Sequence, residues 1–429
     1  MDSSEGEGAS QRLGGDRRQG GAPGGAALAG LARRLNRGRA RSLAALGLPA
    51  LALSLGVTTV SGLLPVLLQA DTGPLAAGAL VGLEGIFALI VPSAVGRRAR
   101  PGARLRIIGL AALLAAAGLV TIAIGGALPI VVVGLVAFYA AYFAYLTAYF
   151  AMYPDIVDEE ERGRSQGAQG TWRALGLAIG FVAGPALIGL WSAAPFLLAA
   201  VVIVAVTPLF AAIAVERARD QESEGELGTP PSAGSMRRLM SERPGLARLL
   251  AANALWETAL AALRAFVVLF LTVGLDRPEH FASIVLAIVV GAALVAAPLA
   301  GWLADRLGRR RVLMWALCVY AACVVAPALV QSVVLLPLVF LAALAAVTVM
   351  TLPFAVVMDL LGEGGRGEAA GLFGVSRGLG LLAGPLAAGA AITLLEPVFA
   401  DTQGYAALFV VASVALAASI PLLRGVRVS

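Results

Sequence analysis

The sequence predicts an all-α membrane protein: twelve transmembrane helices in two six-helix bundles related by a pseudo-twofold axis. Three observations predict it. Hydrophobic residues make up 59% of the 429 residues and charged residues only 14%, too little charge to cover a water-soluble chain of this length. Apolar runs of about twenty residues, each long enough to span ~30 Å of hydrocarbon, recur from Arg41 to Leu423. One block also occurs twice. Asp155, Arg162, Gly163, Gly167, Gly170, Arg173, Gly176 and Gly180 return as Asp359, Arg366, Gly367, Gly371, Gly374, Arg377, Gly380 and Gly384, at a constant displacement (359 − 155 = 204). A duplicated bundle is an architecture in which one half can rock against the other.

The spans fall at 42–69, 74–95, 105–126, 129–153, 166–190, 195–215, 246–274, 281–304, 312–331, 333–357, 368–394 and 404–423. The connections around 96–104, 216–243 and 305–311, together with both termini, are rich in arginine, whereas the opposite loops carry only Arg277. This asymmetry places both termini in the cytoplasm of a multi-pass protein in the cell membrane. The domains expected are a disordered cytoplasmic tail (1–40), an N-terminal bundle (41–215), a linker (216–243), a C-terminal bundle (244–424) and a short cytoplasmic tail (425–429). The linker is polar and rich in Glu, Gly, Pro and Ser, the composition of a flexible tether.

The net charge is +6 and every basic residue is arginine. Because the arginines mark one side of the membrane, the basic balance indicates topology and not nucleic-acid binding. An outer-membrane barrel would show short alternating segments, and there are none. Cys318 and Cys323 lie on different faces of one helix, which disfavours a disulfide. The one histidine, His280, falls in a short loop, and no metal-ligand spacing occurs. No metal, cofactor or enzymatic activity is expected. The chain contains no G-x-x-x-x-G-K-[S/T] segment, so nothing points to direct ATP use.

Gly301-Trp302-Leu303-Ala304-Asp305-Arg306-Leu307-Gly308-Arg309-Arg310 resembles the G-x-L-A-D-R-x-G-R-R signature of the major facilitator superfamily, at the turn between spans eight and nine where that family carries it. The equivalent first-half stretch, Val95 to Arg104, has Val95 for the glycine and Ala99 for the aspartate, a degenerate copy. Gly301 is expected to permit close helix approach. The block from Tyr153-Pro154-Asp155 to Gly163, and Trp256-Glu257, are similar to segments of the sugar–cation symporter branch. The resemblance implies a secondary transporter that works by alternating access, normally as a monomer in the lipid bilayer. It further implies a small-molecule substrate, a sugar on the strength of the symporter-branch segments, coupled to protons or to Na+. Two other functions stay open: an efflux pump for drugs or metabolites on the same fold, and a membrane sensor or assembly partner that transports nothing.

The family's fold lines its cavity with the first, fourth, seventh and tenth helices, and here those spans hold the unusual side chains. Tyr139, Tyr142, Tyr145, Tyr149 and Tyr153 of span four are five of the chain's seven tyrosines, and they fall within roughly a 120° arc. Such a stripe suits a sugar or a flat cation; it equally suits helix packing with the hydroxyls bonded internally. Asn253, Trp256, Glu257 and Arg264 share about 100° of span seven, so Glu257 and Arg264 could pair. Glu84, in span two, has no local partner. Glu84 and Glu257 are the acids at membrane depth, where a carboxyl is costly and commonly functional, and with Arg264 they are the coupling candidates. Thr58 and Thr348 join the cavity candidates, with self-bonding to their own helices as the alternative. Asp155 with Arg173, Asp359 with Arg377, and, in the motif turn, Asp305 as an acceptor for backbone donors at a helix end and Arg306 at the cytoplasmic surface are the candidates for a cytoplasmic gate.

Overall fold

Twelve long helices follow one another in the computed structural model, which describes residues 45–69, 71–157, 162–220, 244–330, 336–361 and 366–424. The tail 1–40, most of the linker 216–243 and the tail 425–429 lie outside the described residues. The first half comprises α1 (Leu48–Leu67), α2 (Pro74–Gly96), α3 (Arg104–Ile124), α4 (Leu128–Ile156), α5 (Arg162–Ala178, continuing to Leu190) and α6 (Ala194–Asp220). The second comprises α7 (Pro244–Leu269), α8 (Glu279–Leu307), α9 (Arg309–Val324), α10 (Leu336–Leu361), α11 (Arg366–Leu394) and α12 (Ala407–Arg424). Eleven are long and apolar enough to cross a membrane, and α10 carries a shorter apolar stretch, Pro337–Pro353.

The ends follow local chemistry. α1, α2 and α4 begin with proline in the first turn, where its missing N–H has no helical partner to lose. α6 runs on to Asp220, into the expected linker; Glu216 to Asp220 contain no glycine or proline to stop it. In α5 a π turn, Ile179–Ala183, precedes Pro185. Proline there cannot donate to the Phe181 carbonyl, and the helix widens where that bond is missing. A second π turn, Phe270–Gly274, ends α7, with the Leu275 N–H donating to the Phe270 carbonyl at 2.9 Å. Pro385, by contrast, lies within a continuous α11.

The motif turn between α8 and α9 corrects one expectation. The residue that needs to be glycine is Gly308, whose φ is +88°, a conformation that side chains with a Cβ rarely adopt. Gly301 is exposed, and a Cβ there would meet nothing within 4 Å. It serves no close helix approach.

Helix neighbours repeat between the halves. α1 packs on α5 and α6, α3 on α4 and α6, and α2 on α4; α7 packs on α11 and α12, α9 on α10 and α12, and α8 on α10. Adding six to each first-half number gives the second-half pair, as a pseudo-twofold requires. The contacts between halves obey the same exchange: α2 on α11, α8 on α5, and α1 on α7.

Glycine sets how closely the halves meet. A Cβ at Gly78 would strike the Pro385 carbonyl, one at Gly85 the Gly378 carbonyl and the Leu382 backbone, and one at Gly389 the Pro74 carbonyl. These contacts run from the far end of α2 to mid-helix and then stop, since Gly96 and Gly374 have nothing within 4 Å. Likewise α8 packs on the π turn of α5 and on Gly184–Leu190, beyond the longer first stretch. The halves are therefore closed at one end. Among the described residues they part toward the other, the arginine-rich end that carries the α2–α3 and α8–α9 turns.

Replacing Gly85 by leucine forces α2 off α11 and is expected to cost about 1–3 kcal/mol through overpacking. Gly109→Leu, at a position with open space, leaves thermal unfolding of the purified protein near wild type.

Candidate functional site

Four charged side chains form two ion pairs where the halves meet. Glu84 of α2 holds Arg264 of α7, Oε2 to Nη2 at 2.6 Å, with side-chain exposures of 3% and 11%. This bond crosses between the halves. Glu257 of α7 lies 3.6 Å from Nε of Arg377 on α11, whose side chain is 44% exposed. The expected Glu257–Arg264 pairing within α7 is therefore corrected. Seven residues along a helix are about 10.5 Å, and each charge finds a nearer partner on another helix. Packing explains the choice. Gly380 sits directly on Cβ of Glu257, so α11 comes close enough for Arg377, one turn earlier, to reach the carboxylate. Glu84 is not partnerless; its partner is on the other half of the chain.

Most of the tyrosine stripe holds helices together. The Tyr139 hydroxyl donates to the Val81 carbonyl at 3.4 Å and Tyr149 to the Leu46 carbonyl at 2.8 Å. Tyr145 shares a hydrogen bond of 3.2 Å with Thr207 of α6. Tyr142 differs. Its ring packs edge-on against Phe143, and its hydroxyl has no hydrogen bond among the described residues. It lies within electrostatic reach of Arg377, Glu84, Arg173 and Arg264. Among the described tyrosines of the stripe, Tyr142 alone has a hydroxyl that is not hydrogen-bonded within the protein. Tyr153's side chain is outside the described residues.

Two further cavity candidates are packing residues. Asn253 Nδ2 donates to Ser376 Oγ of α11 at 2.8 Å, and Trp256 Nε1 to Ser419 Oγ of α12 at 2.7 Å. Both are buried and tie α7 to its neighbours. Thr348 donates to the Leu344 carbonyl of its own helix at 3.0 Å, the alternative noted for it. Thr58 does not: its Oγ1 is buried without a hydrogen bond, as is that of Thr59. Ser376 and Ser419 were not legible in advance, because a serine one helix away leaves no mark in the sequence of α7.

The gate candidates divide. The side chains of Asp155 and Asp359 lie outside the described residues. Arg377 is engaged by Glu257, and Arg173 is exposed with no ion pair among the described residues. Asp305 is exposed. Arg306 stacks over the Trp302 ring, 4.1 Å from its centroid, a cation–π contact in place of an ion pair. Among the described residues no three His, Cys, Asp or Glu side chains gather to hold a metal ion.

Two six-helix halves, joined by a buried ion pair between α2 and α7, fit a polytopic membrane transporter of the alternating-access kind. The sequence pattern of the Major Facilitator Superfamily matches residues 46–276 and 258–428, and the chain belongs to that superfamily. It is not an enzyme. Its fold is similar to that of a bacterial homolog of the human lysosomal transporter Spinster in an inward-facing, unoccupied conformation (TM-score 0.70, 15% identity, 90% of this chain and 96% of that one). It is similar also to the nucleoside transporter NupG (TM-score 0.71, 15% identity, 90% and 99%). A third likeness is to an inward-facing bacterial homologue of the iron transporter ferroportin (TM-score 0.64, 15% identity, 89% and 98%). No curated protein sequence matches it significantly.

Removing one partner of a buried pair strands the other charge, so Glu84→Gln is expected to cost about 3–5 kcal/mol of stability. The double variant Glu84→Gln, Arg264→Gln recovers part of that loss, and a double-mutant cycle of unfolding in micelles measures the coupling.

Proposed function

We propose that this protein is a proton-coupled secondary transporter of a small organic solute, with Glu257 as the proton-carrying group. The observation that carries the reading is the Glu257–Arg377 pair. At 3.6 Å it is the looser of the two pairs, and its arginine is 44% exposed, whereas Glu84 and Arg264 meet at 2.6 Å and are nearly sealed. A carboxylate held loosely beside the crevice can exchange a proton and release its arginine. A tightly held one serves better as a fixed tie. Proton entry at Glu257 then changes what Arg377 can bind, the kind of local charge event that biases a two-state bundle.

The arginine-rich end, where the halves part, is the cytoplasmic end by the positive-inside rule. On that assignment the halves part toward the cytoplasm of a protein in the cell membrane, and the superfamily's usual mode of action supports a monomer. A sugar, as in the symporter branch that some segments resemble, gains less support from the tyrosine stripe than its spacing suggested, since three of the hydroxyls are bonded to the protein's own helices.

In reconstituted vesicles the wild type accumulates its solute when the outside is made acidic. Glu257→Gln is expected to keep solute exchange across the membrane yet lose the accumulation. The solute is to be chosen from a panel of sugars, nucleosides, organic anions and cationic dyes. Undiminished pH-driven accumulation by Glu257→Gln removes Glu257 as the coupling group.

A further inference from the structure

Arg173 of α5 and Arg377 of α11 hold the same place in the repeated block. Both are exposed, yet both lie within electrostatic reach of Tyr142, and Arg173 also feels Arg377 and Tyr149. Equivalent positions on opposite halves and a shared neighbour, Tyr142, set the two exposed guanidinium groups near one another.

Their surroundings are not equal. Gly176 of α5 rests on the Leu51 carbonyl of α1, and Gly380 of α11 rests on the Ala254 carbonyl of α7. Three residues beyond each carbonyl stand Ser54 and Glu257. The acid that answers Arg377 is thus replaced, in the first half, by a serine, and Arg173 has no ion pair among the described residues. Among the described residues Glu84 and Glu257 answer Arg264 and Arg377, and Arg173 adds a positive charge beside Arg377 that none of them answers. Like charges at bilayer depth are unfavourable unless something compensates them. The Tyr142 hydroxyl, unbonded within the protein, is a donor beside them.

We infer that Arg173, Arg377 and Tyr142 form the binding site for the negatively charged group of the transported solute, a carboxylate or a phosphate monoester. This rests on the transport reading and adds the class of solute to it. Two guanidinium groups and a phenol offer the planar donors that such groups accept. The site also links solute to proton. Glu257 is faced by Arg377 of α11, Arg264 of its own helix and Glu84 of α2. An incoming anion competes with Glu257 for Arg377, so a proton on Glu257 favours anion binding, and the two travel together.

Gly374 lies one turn before Arg377, exposed and with nothing within 4 Å, so a cysteine fits there. In a chain with Cys318 and Cys323 replaced by alanine, Gly374→Cys is reacted with sulfonatoethyl and with trimethylammonioethyl methanethiosulfonate. The crevice is expected to favour the anionic reagent over the cationic one, relative to their ratio on 2-mercaptoethanol. Arg173→Gln should lower that preference about tenfold, and Arg173→Lys should keep it. A preference for the cation, or a ratio that Arg173→Gln leaves unchanged, overturns the inference.

A second arm compares thermal stabilisation of the purified protein by gluconate and glucose 6-phosphate with that by glucose. Stabilisation by an anion that Arg173→Gln abolishes supports the site, and the two anions separate carboxylate from phosphate. Glucose stabilising the wild type and Arg173→Gln alike contradicts it. The reagent ratio reads the charge of the crevice whether or not Glu257 couples transport, so the two readings fail separately.

Discussion

Glu84 and Arg264 bind each other across the two halves of the bundle, and much of the surrounding packing brings them together. Gly82 and Gly85 flank Glu84 and let α2 lie on the backbone of α11. Gly62 of α1 packs toward the Arg264 carbonyl, at 3.5 Å for a Cβ built there, which sets α7 against the first half. A single charge in this environment is costly. Two charges 2.6 Å apart compensate each other, but only while the halves stay in this arrangement. The bond ties the two halves together in this arrangement, and we expect a change in its strength to alter how the halves are populated.

The second pair works by contrast. Duplication gave both halves the same arginine, Arg173 and Arg377, and the same glycines that press α5 on α1 and α11 on α7. Only the second half has an acid, Glu257, where the first has Ser54. A symmetric scaffold with an asymmetric charge set can hold a solute from both sides and still pass a proton through one of them. Tyr142 is the tyrosine we assign to the proposed site because its hydroxyl, unlike those of Tyr139, Tyr145 and Tyr149, is not hydrogen-bonded to a neighbouring helix among the described residues.

The helices and their order were legible because each apolar run matches the hydrocarbon thickness and the arginines mark alternate turns. The duplication was legible because glycine and arginine recur at fixed spacing, and four of those glycines, Gly176, Gly180, Gly380 and Gly384, prove to be close contacts. Partner choice was not legible. Whether Arg264 meets Glu257 or Glu84 depends on how α2, α7 and α11 are rotated against one another, and one helix's spacing contains no such information. The tyrosines were correctly placed on one face, but that face meets Val81, Thr207 and Leu46 at different heights. Most of it is therefore packing. Gly301 misled for a related reason: a motif position says where a residue recurs, not what touches it.

The most direct measurement of the account is the distance between halves at each end of the bundle. In a chain with Cys318 and Cys323 replaced by alanine, spin labels at positions 73 and 396 report the closed end, and labels at 102 and 311 report the arginine-rich end. The account predicts a short distance for the first pair and a long one for the second. In Arg264→Gln the first lengthens and the second shortens, as the population shifts toward the opposite opening. Distance distributions that Arg264→Gln leaves unchanged at both ends would contradict it.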